Sequence, residues 1–186
     1  MNTPDFVPAR RVFFGFFLLL FMMLPSLSQA TILKTKNLPE LTQEADFIAV
    51  VSVESQLSLR DGPRNFIYTD YRLKVEELVY ARSGLKLPQK DQHTVLRQIG
   101  GQIGDVEQSV IGTEDIKDLD RWVIFARLHK GRVYLLGMHQ GGWFINEKEE
   151  VGPARRLSSP NTPESKWVPK ATFLQKVRSL LKESGR

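Results

Sequence analysis

Three histidines, His93, His129 and His139, are the groups in this 186-residue chain best suited to hold a metal or move a proton near neutral pH. A zinc or similar site needs three or four ligands at spacings that let them converge. No His-x-x-x-His and no carboxylate at ligand spacing accompanies any of the three. A Ser or Thr nucleophile needs a positioned base and an oxyanion hole. Ser52 and Ser109 fall in strand-like stretches, but neither a G-x-S-x-G nor an S-x-x-K pattern is present. The carboxylate pairs Glu76-Glu77 and Glu149-Glu150 are sequence neighbours, which point to opposite faces of a strand. These patterns predict a protein without a catalytic constellation, a metal or a cofactor.

The remaining candidates are two glycine corners. Gly100-Gly101-Gln102-Ile103-Gly104 looks like a phosphate loop, but such a loop opens a helix and supplies a lysine, whereas a strand-like stretch follows here. The preferred reading is a tight corner where a strand bends and φ turns positive. Gln140-Gly141-Gly142-Trp143, preceded by His139, is open to the same two readings. If both corners lie at one rim, Gly100, Gly101, Gln102, His139, Gln140, Gly141, Gly142 and Trp143 frame a shared binding cleft.

These corners must be held by a framework, and its centre is residues 121–145. Two apolar runs flank a His129-Lys130-Gly131 turn, the composition of a core β-hairpin. His129 then sits at the tip and His139 near the opposite end, so the two are not expected to meet. Upstream, residues 38–45 predict a short helix with Pro39 near its start. Residues 47–53 predict a first strand, residues 66–78 a second with one wet face, and residues 93–99 a third. Residues 105–112 hold a further short strand, and residues 113–120 a loop. Residues 146–168, with Gly152, Pro153, Pro160 and Pro163, read as a surface linker. In residues 169–186, Phe173, Leu174, Val177, Leu180 and Leu181 recur at helical spacing, with Pro169 suited to the first helical position. The expected fold is mainly β: a five- to six-stranded OB-like barrel, or a strongly curled antiparallel sheet. An amphipathic C-terminal helix packs on it, over one opening of the barrel.

The first thirty residues read as an address. Arg10-Arg11 precede a short apolar run that ends at Pro25, and Ser28-Gln29-Ala30 offers a cleavage site, the pattern of a secretory leader cut after Ala30. The apolar run is shorter than the roughly 20 residues a spanning helix needs, so no membrane span is expected after cleavage. A periplasmic or secreted product of a bacterial cell follows. Residues 31–145 would form the barrel domain. Cysteine is absent, so disulfides, thiolate metal sites and a lipidated N-terminal cysteine are excluded, and the core must suffice alone. The formal charge is +5, of which the mature chain keeps about +4. There is no dense Lys/Arg stripe, and nucleic acid is not an expected partner.

Five segments, ADFIAVVSV at residues 45–53, IYTDYRLKVEE at 67–77, GGQIG at 100–104, WVIFARL at 122–128 and LGMHQGGWFI at 136–145, resemble a group of small exported bacterial proteins without established activity. More distantly, the arrangement is similar to the oligonucleotide/oligosaccharide-binding (OB) barrel of netrin-like modules and tissue inhibitors of metalloproteinases. Those relatives are cross-linked by cysteines, which this chain lacks. The leading expectation is a non-enzymatic binding module whose partner is an envelope protein or polymer. The resemblance implies an alternative, a protease inhibitor acting through a free Thr31 amine. A hydrolase without a recognisable motif stands third.

Overall fold

The computed structural model describes residues 35–113, 116–153 and 167–186. The leader, its cleavage point and Thr31 lie outside the described residues, as does most of the predicted linker. Among the described residues two helices, α1 (Leu38–Glu44) and α2 (Lys170–Glu183), accompany ten strands. The long strands are β1 (Phe47–Asp61), β2 (Phe66–Ala81), β3 (His93–Ile99) and β6 (Arg121–His129). The short ones are β4 (Gly101–Ile103), β5 (Val106–Gln108), β7 (Arg132–Leu135), β8 (Gly142–Ile145), β9 (Glu150–Pro153) and β10 (Val168–Pro169). Among the described residues no helix is long and apolar enough to cross a membrane.

Local chemistry explains several boundaries. Asn37 caps α1 through its side chain while Glu40 reaches back to the Asn37 amide, a reciprocal capping box, and Pro39 sits in the first turn. The β1–β2 connection uses Gly62 and Asn65, both with positive φ. Lys130 and Gly131, at φ of 48° and 77°, make a two-residue hairpin between His129 and Arg132, which are register partners.

The pairing closes on itself. β1 joins β2, β2 joins β3, β3 meets β7 in parallel at Leu96 and Val133, β7 joins β6, and β6 returns to β1. This ring of five strands is the head of a strongly curled eight-stranded sheet that continues from β6 through β8 and β9 to β10. β4 and β5 form a separate hairpin.

The first part of β1, residues 47–51, and most of β6 are buried on both faces, which is why their apolar runs are continuous rather than alternating. Phe47, Ala49, Val51, Trp122, Ile124 and Ala126 face the inside of the ring with Leu73, Val75, Leu96 and Val133. Ile48, Val50, Val123 and Phe125 face outward into a second core with Leu41, Phe173, Leu174, Val177 and Leu181. The α2 anchor is Phe173, with ring centroids 6.4 Å from Phe125 and 5.0 Å from Trp143. Burying such a ring contributes about 1.5–3 kcal/mol. Glu149 links Arg121 to Lys170 at the start of α2, and Arg178 reaches Glu77.

The structure corrects four expectations. α2 lies on the outer face of the sheet and covers no opening, because its apolar stripe matches the outward positions of β1 and β6. The span 146–168 is not all linker: β9 pairs with β8 on one side and with β10 on the other. Pro169 is the residue before α2, in an extended conformation, and the helix starts at Lys170. The second arm of the 121–145 hairpin is broken. β7 and β8 pair with opposite halves of β6, and a 3-10 turn, Met138–Gly141, comes between them.

Candidate functional site

Inside the ring, composition changes along the strands. Val51, Val53, Leu73, Val75 and Leu96 form the apolar part. Beyond Val53 the register of β1 against β2 slips by one residue at Glu54, a β-bulge. Val53 pairs with Leu73, but the next inward pairs are Gln56 with Tyr71 and Ser58 with Thr69. The bulge thus moves the inward positions of β1 from odd to even residues, and those even residues are polar. Gln98, two residues past buried Leu96, adds an amide from β3.

These groups line a cleft of about 770 Å³. Its walls are Gln56, Ser58, Thr69, Tyr71 and Gln98 from the ring, with Gln102 and Gln108 from the β4–β5 hairpin. The loop after β5 contributes Ser109, Thr113, Ile116 and Lys117. Amides and hydroxyls both donate and accept hydrogen bonds. One cation, Lys117, and one anion, Glu107, accompany them. Such a lining suits an uncharged polar ligand better than a phosphate or a polyanion.

The first glycine corner builds one wall. Gly100 and Gly101 have φ of 102° and 135°, values that an L side chain rarely adopts. A Cβ on Gly101 would stand 2.2 Å from the Thr69 hydroxyl oxygen and 2.7 Å from that of Ser58. The chain therefore passes directly over that hydroxyl pair, whose oxygens are 3.1 Å apart. Thr69 Oγ1 donates to the Gly100 carbonyl at 2.8 Å, and the Gly100 amide donates to Ile67 at 2.8 Å. The Gln108 side chain accepts from the Ile67 amide at 3.0 Å. The corner is a bend, as its residues suggest, and it also borders the cleft.

The second corner does something else. None of His139, Gln140, Gly141, Gly142 and Trp143 lines the cleft. Gly141 is buried where a Cβ would fall 2.5 Å from the Phe125 carbonyl and 2.7 Å from the Leu136 amide nitrogen. Gly142 lies against the Trp122 ring. Trp143 packs on Phe173 in the outer core, and its buried indole N–H, like that of Trp122, has no hydrogen-bond partner among the described residues. Gln140 accepts from the Lys36 amide. His139 ties the second corner to the loop after β5. Its backbone N–H donates to the Gly112 carbonyl at 2.9 Å and Nδ1 lies 3.2 Å from the same oxygen, bracing the loop that carries Thr113.

The histidines do not assemble. His93 sits 3.0 Å from Glu54 on the outer surface, and His129 packs edge-on to Tyr134. Among the described residues no group of three or more metal-ligating side chains gathers. The strongest electrostatic cluster is also outside the ring. Arg97, only 5% exposed, pairs with Asp70 at 2.6 Å and with Asp61, and its guanidinium lies 5.3 Å from the Tyr68 ring centre. Hydrogen bonding to Asp70 and Asp61 raises the Arg97 pKa, and Arg97 in turn holds the Asp61 carboxyl below the usual range. The cluster clamps the β1–β2 ribbon to β3.

Sequence reasoning named Gly100, Gly101 and Gln102 but missed Gln56, Ser58, Thr69 and Gln98. A polar residue at an alternating strand position reads as a wet outer face. The slip at Glu54, which leaves no signature in residue types, turns Gln56 and Ser58 inward, while Thr69 and Gln98 continue the inward alternation of β2 and β3. No protein-family model matches this chain, and a search of curated proteins finds no match.

Proposed function

We propose that this chain is an exported, non-enzymatic binding module of the bacterial cell envelope, and that the cleft is its ligand site. One observation carries the reading: the inward positions of the ring change from apolar to amide and hydroxyl at one end, and that end stays open. Hydroxyls and amides that bond one another still have capacity to donate or accept, and an open cleft lets a ligand use it. Export rests on the leader pattern of residues 10–30, and the expected ligand is an uncharged envelope polymer or a protein segment. The mainly β fold, with its closed order β1-β2-β3-β7-β6, is consistent with an OB-like arrangement.

The test is affinity capture from an envelope extract on purified wild type and on Gln102→Trp. Gln102 is exposed and lines the cleft, so an indole there obstructs the site with little effect on the fold. Material retained by the wild type and lost by the variant is the expected result. Equal retention by both, or turnover of a substrate by the pure protein, would sink the proposal.

A further inference from the structure

The spacing of apolar residues along β1 disagrees with the register the strand adopts. Val51, Val53, Leu57 and Leu59 are odd positions, whereas Ser52, Glu54, Gln56, Ser58 and Arg60 are even. With Ser55 as its one weak position, this is a single period-2 alternation that would keep the odd residues on one face throughout. The bulge at Glu54 breaks it. Beyond the bulge the even residues turn into the ring, Gln56 opposite Tyr71 and Ser58 opposite Thr69. Leu57 is left 68% exposed.

A second register is open to the same residues. Without the bulge, the pairing of Val53 with Leu73 continues as Glu54 with Arg72, Ser55 with Tyr71, Leu57 with Thr69 and Leu59 with Ile67. Leu57 and Leu59 then fall inside the ring, on the face of buried Thr69 and Ile67. Glu54 already bonds Arg72 at 3.1 Å, and the two are direct partners in the unbulged pairing, so that bridge serves both arrangements. Only one ladder has to re-form. β6 pairs with β1 as far as Ser52, Val53 bonds Leu119 and Asp120, and beyond it β2 alone pairs with the strand among the described residues. The bulged register has its own holds, the Ser58–Thr69 hydroxyl contact at 3.1 Å and the bridge from Arg97 to Asp61.

We propose that residues 54–61 are a two-register switch that governs the cleft, open and polar when bulged, filled by Leu57 and Leu59 when not. The switch rests on the cleft reading. A ligand bonded to Gln56 and Ser58 holds the bulged register, because only there do both face it. The β4–β5 hairpin moves with the slip. A Cβ on Gly101 would already lie 2.7 Å from the Ser58 hydroxyl oxygen, and the unbulged register puts the larger Leu57 in that place. Closure therefore lifts β4 away from Thr69.

The chain has no cysteine, so introduced pairs report the register directly. Directly opposite residues lie within disulfide reach, and side chains on opposite faces do not. Under diamide, Ser58→Cys with Thr69→Cys should cross-link rapidly. Leu57→Cys with Thr69→Cys should also cross-link, about ten- to a thousandfold more slowly, as a minor register of about 0.1–10% dictates. Leu57→Cys with Leu85→Cys, opposite in neither register, should stay reduced, which separates slipping from general unfolding. Deleting Glu54 removes the extra residue and makes Ser55 opposite Arg72 the unbulged pairing. The deletion should keep the 58–69 cross-link and lose the 57–69 one. A 57–69 pair that stays reduced, or that closes equally well after the deletion, overturns the switch. Once oxidised, the 57–69 protein should lose most of the envelope material that its reduced form retains, and equal retention overturns the link to the cleft. Cross-linking needs no ligand, so a wild type that captures nothing counts against the cleft reading alone.

Discussion

Gly100-Gly101 and Gly141-Gly142 are indistinguishable as dipeptides, and the fold uses them for opposite ends. Gly101 of the first pair needs glycine for its dihedral angle, and what presses on it are the Thr69 and Ser58 side-chain hydroxyls beside an open cleft. Gly141 needs glycine for space, boxed in by backbone atoms of Phe125 and Leu136 in the interior. A glycine beside side chains can mark a surface where something approaches. A glycine beside backbone marks a packing joint.

Substitution can break that contrast. Gly141→Ala drives a methyl into three backbone atoms that cannot rotate away, so we expect a loss of about 3 kcal/mol or more. That lowers the melting midpoint by roughly 10 °C, as circular dichroism would show. Gly101→Ala should cost less, about 2 kcal/mol, because the Thr69 and Ser58 side chains it meets can turn aside where backbone cannot, which leaves the positive φ as the main expense. If Gly101→Ala proved the more damaging of the two, the distinction would be wrong.

Thr69→Val sharpens the same point. It removes the donor to the Gly100 carbonyl and should cost about 1 kcal/mol, with faster amide exchange confined to residues around Gly100. Exchange that quickens across the whole ring would mean the corner is part of the core. The smallest effect concerns pH. Lys170 and then Arg121 hold the Glu149 carboxyl below its ordinary range, Lys36 does so for Glu44, and Arg97 for Asp61. Carboxyls with depressed folded-state values add stability that is present above their unfolded pKa, near 4, and is lost as pH falls through the folded value. The melting midpoint should therefore be level from about pH 7 to 5 and decline below about 4. A profile flat down to pH 3 would show that these exposed pairs contribute nothing measurable.

How far the sequence was legible follows from what each signal depends on. β3 is bounded by residues 93 and 99 as its alternation predicts, and the 130–131 turn lies where a Lys-Gly pair tolerates positive φ. Local pattern sufficed there because one face is wet and the other dry. It failed for the far half of β1, where residues 54–61 carry Glu, Gln, two Ser and Arg and look like a loop. They are strand because β2 pairs with them along their whole length, a tertiary reason. It failed again for β9, whose Gly152 and Pro153 suggest a breaker. Gly152 is there because a side chain would collide with the Trp167 ring, 2.6 Å from its Cβ position. Arg97 likewise reads as a solvated charge until Asp61 and Asp70 are found around it.

The return of β6 to β1 also has a bearing on when the molecule can form. Phe47 pairs with Ala126, so the ring cannot close until nearly the whole of the strand region has been synthesised. Before that moment β1 can pair only with β2, and the outward residues Ile48 and Val50 have neither β6 beside them nor α2 over them. Contacts of such long sequence separation make folding slow, in the range of milliseconds to seconds. The export we propose for this chain would gain time from that delay, since the strands that finish the structure are the last to arrive.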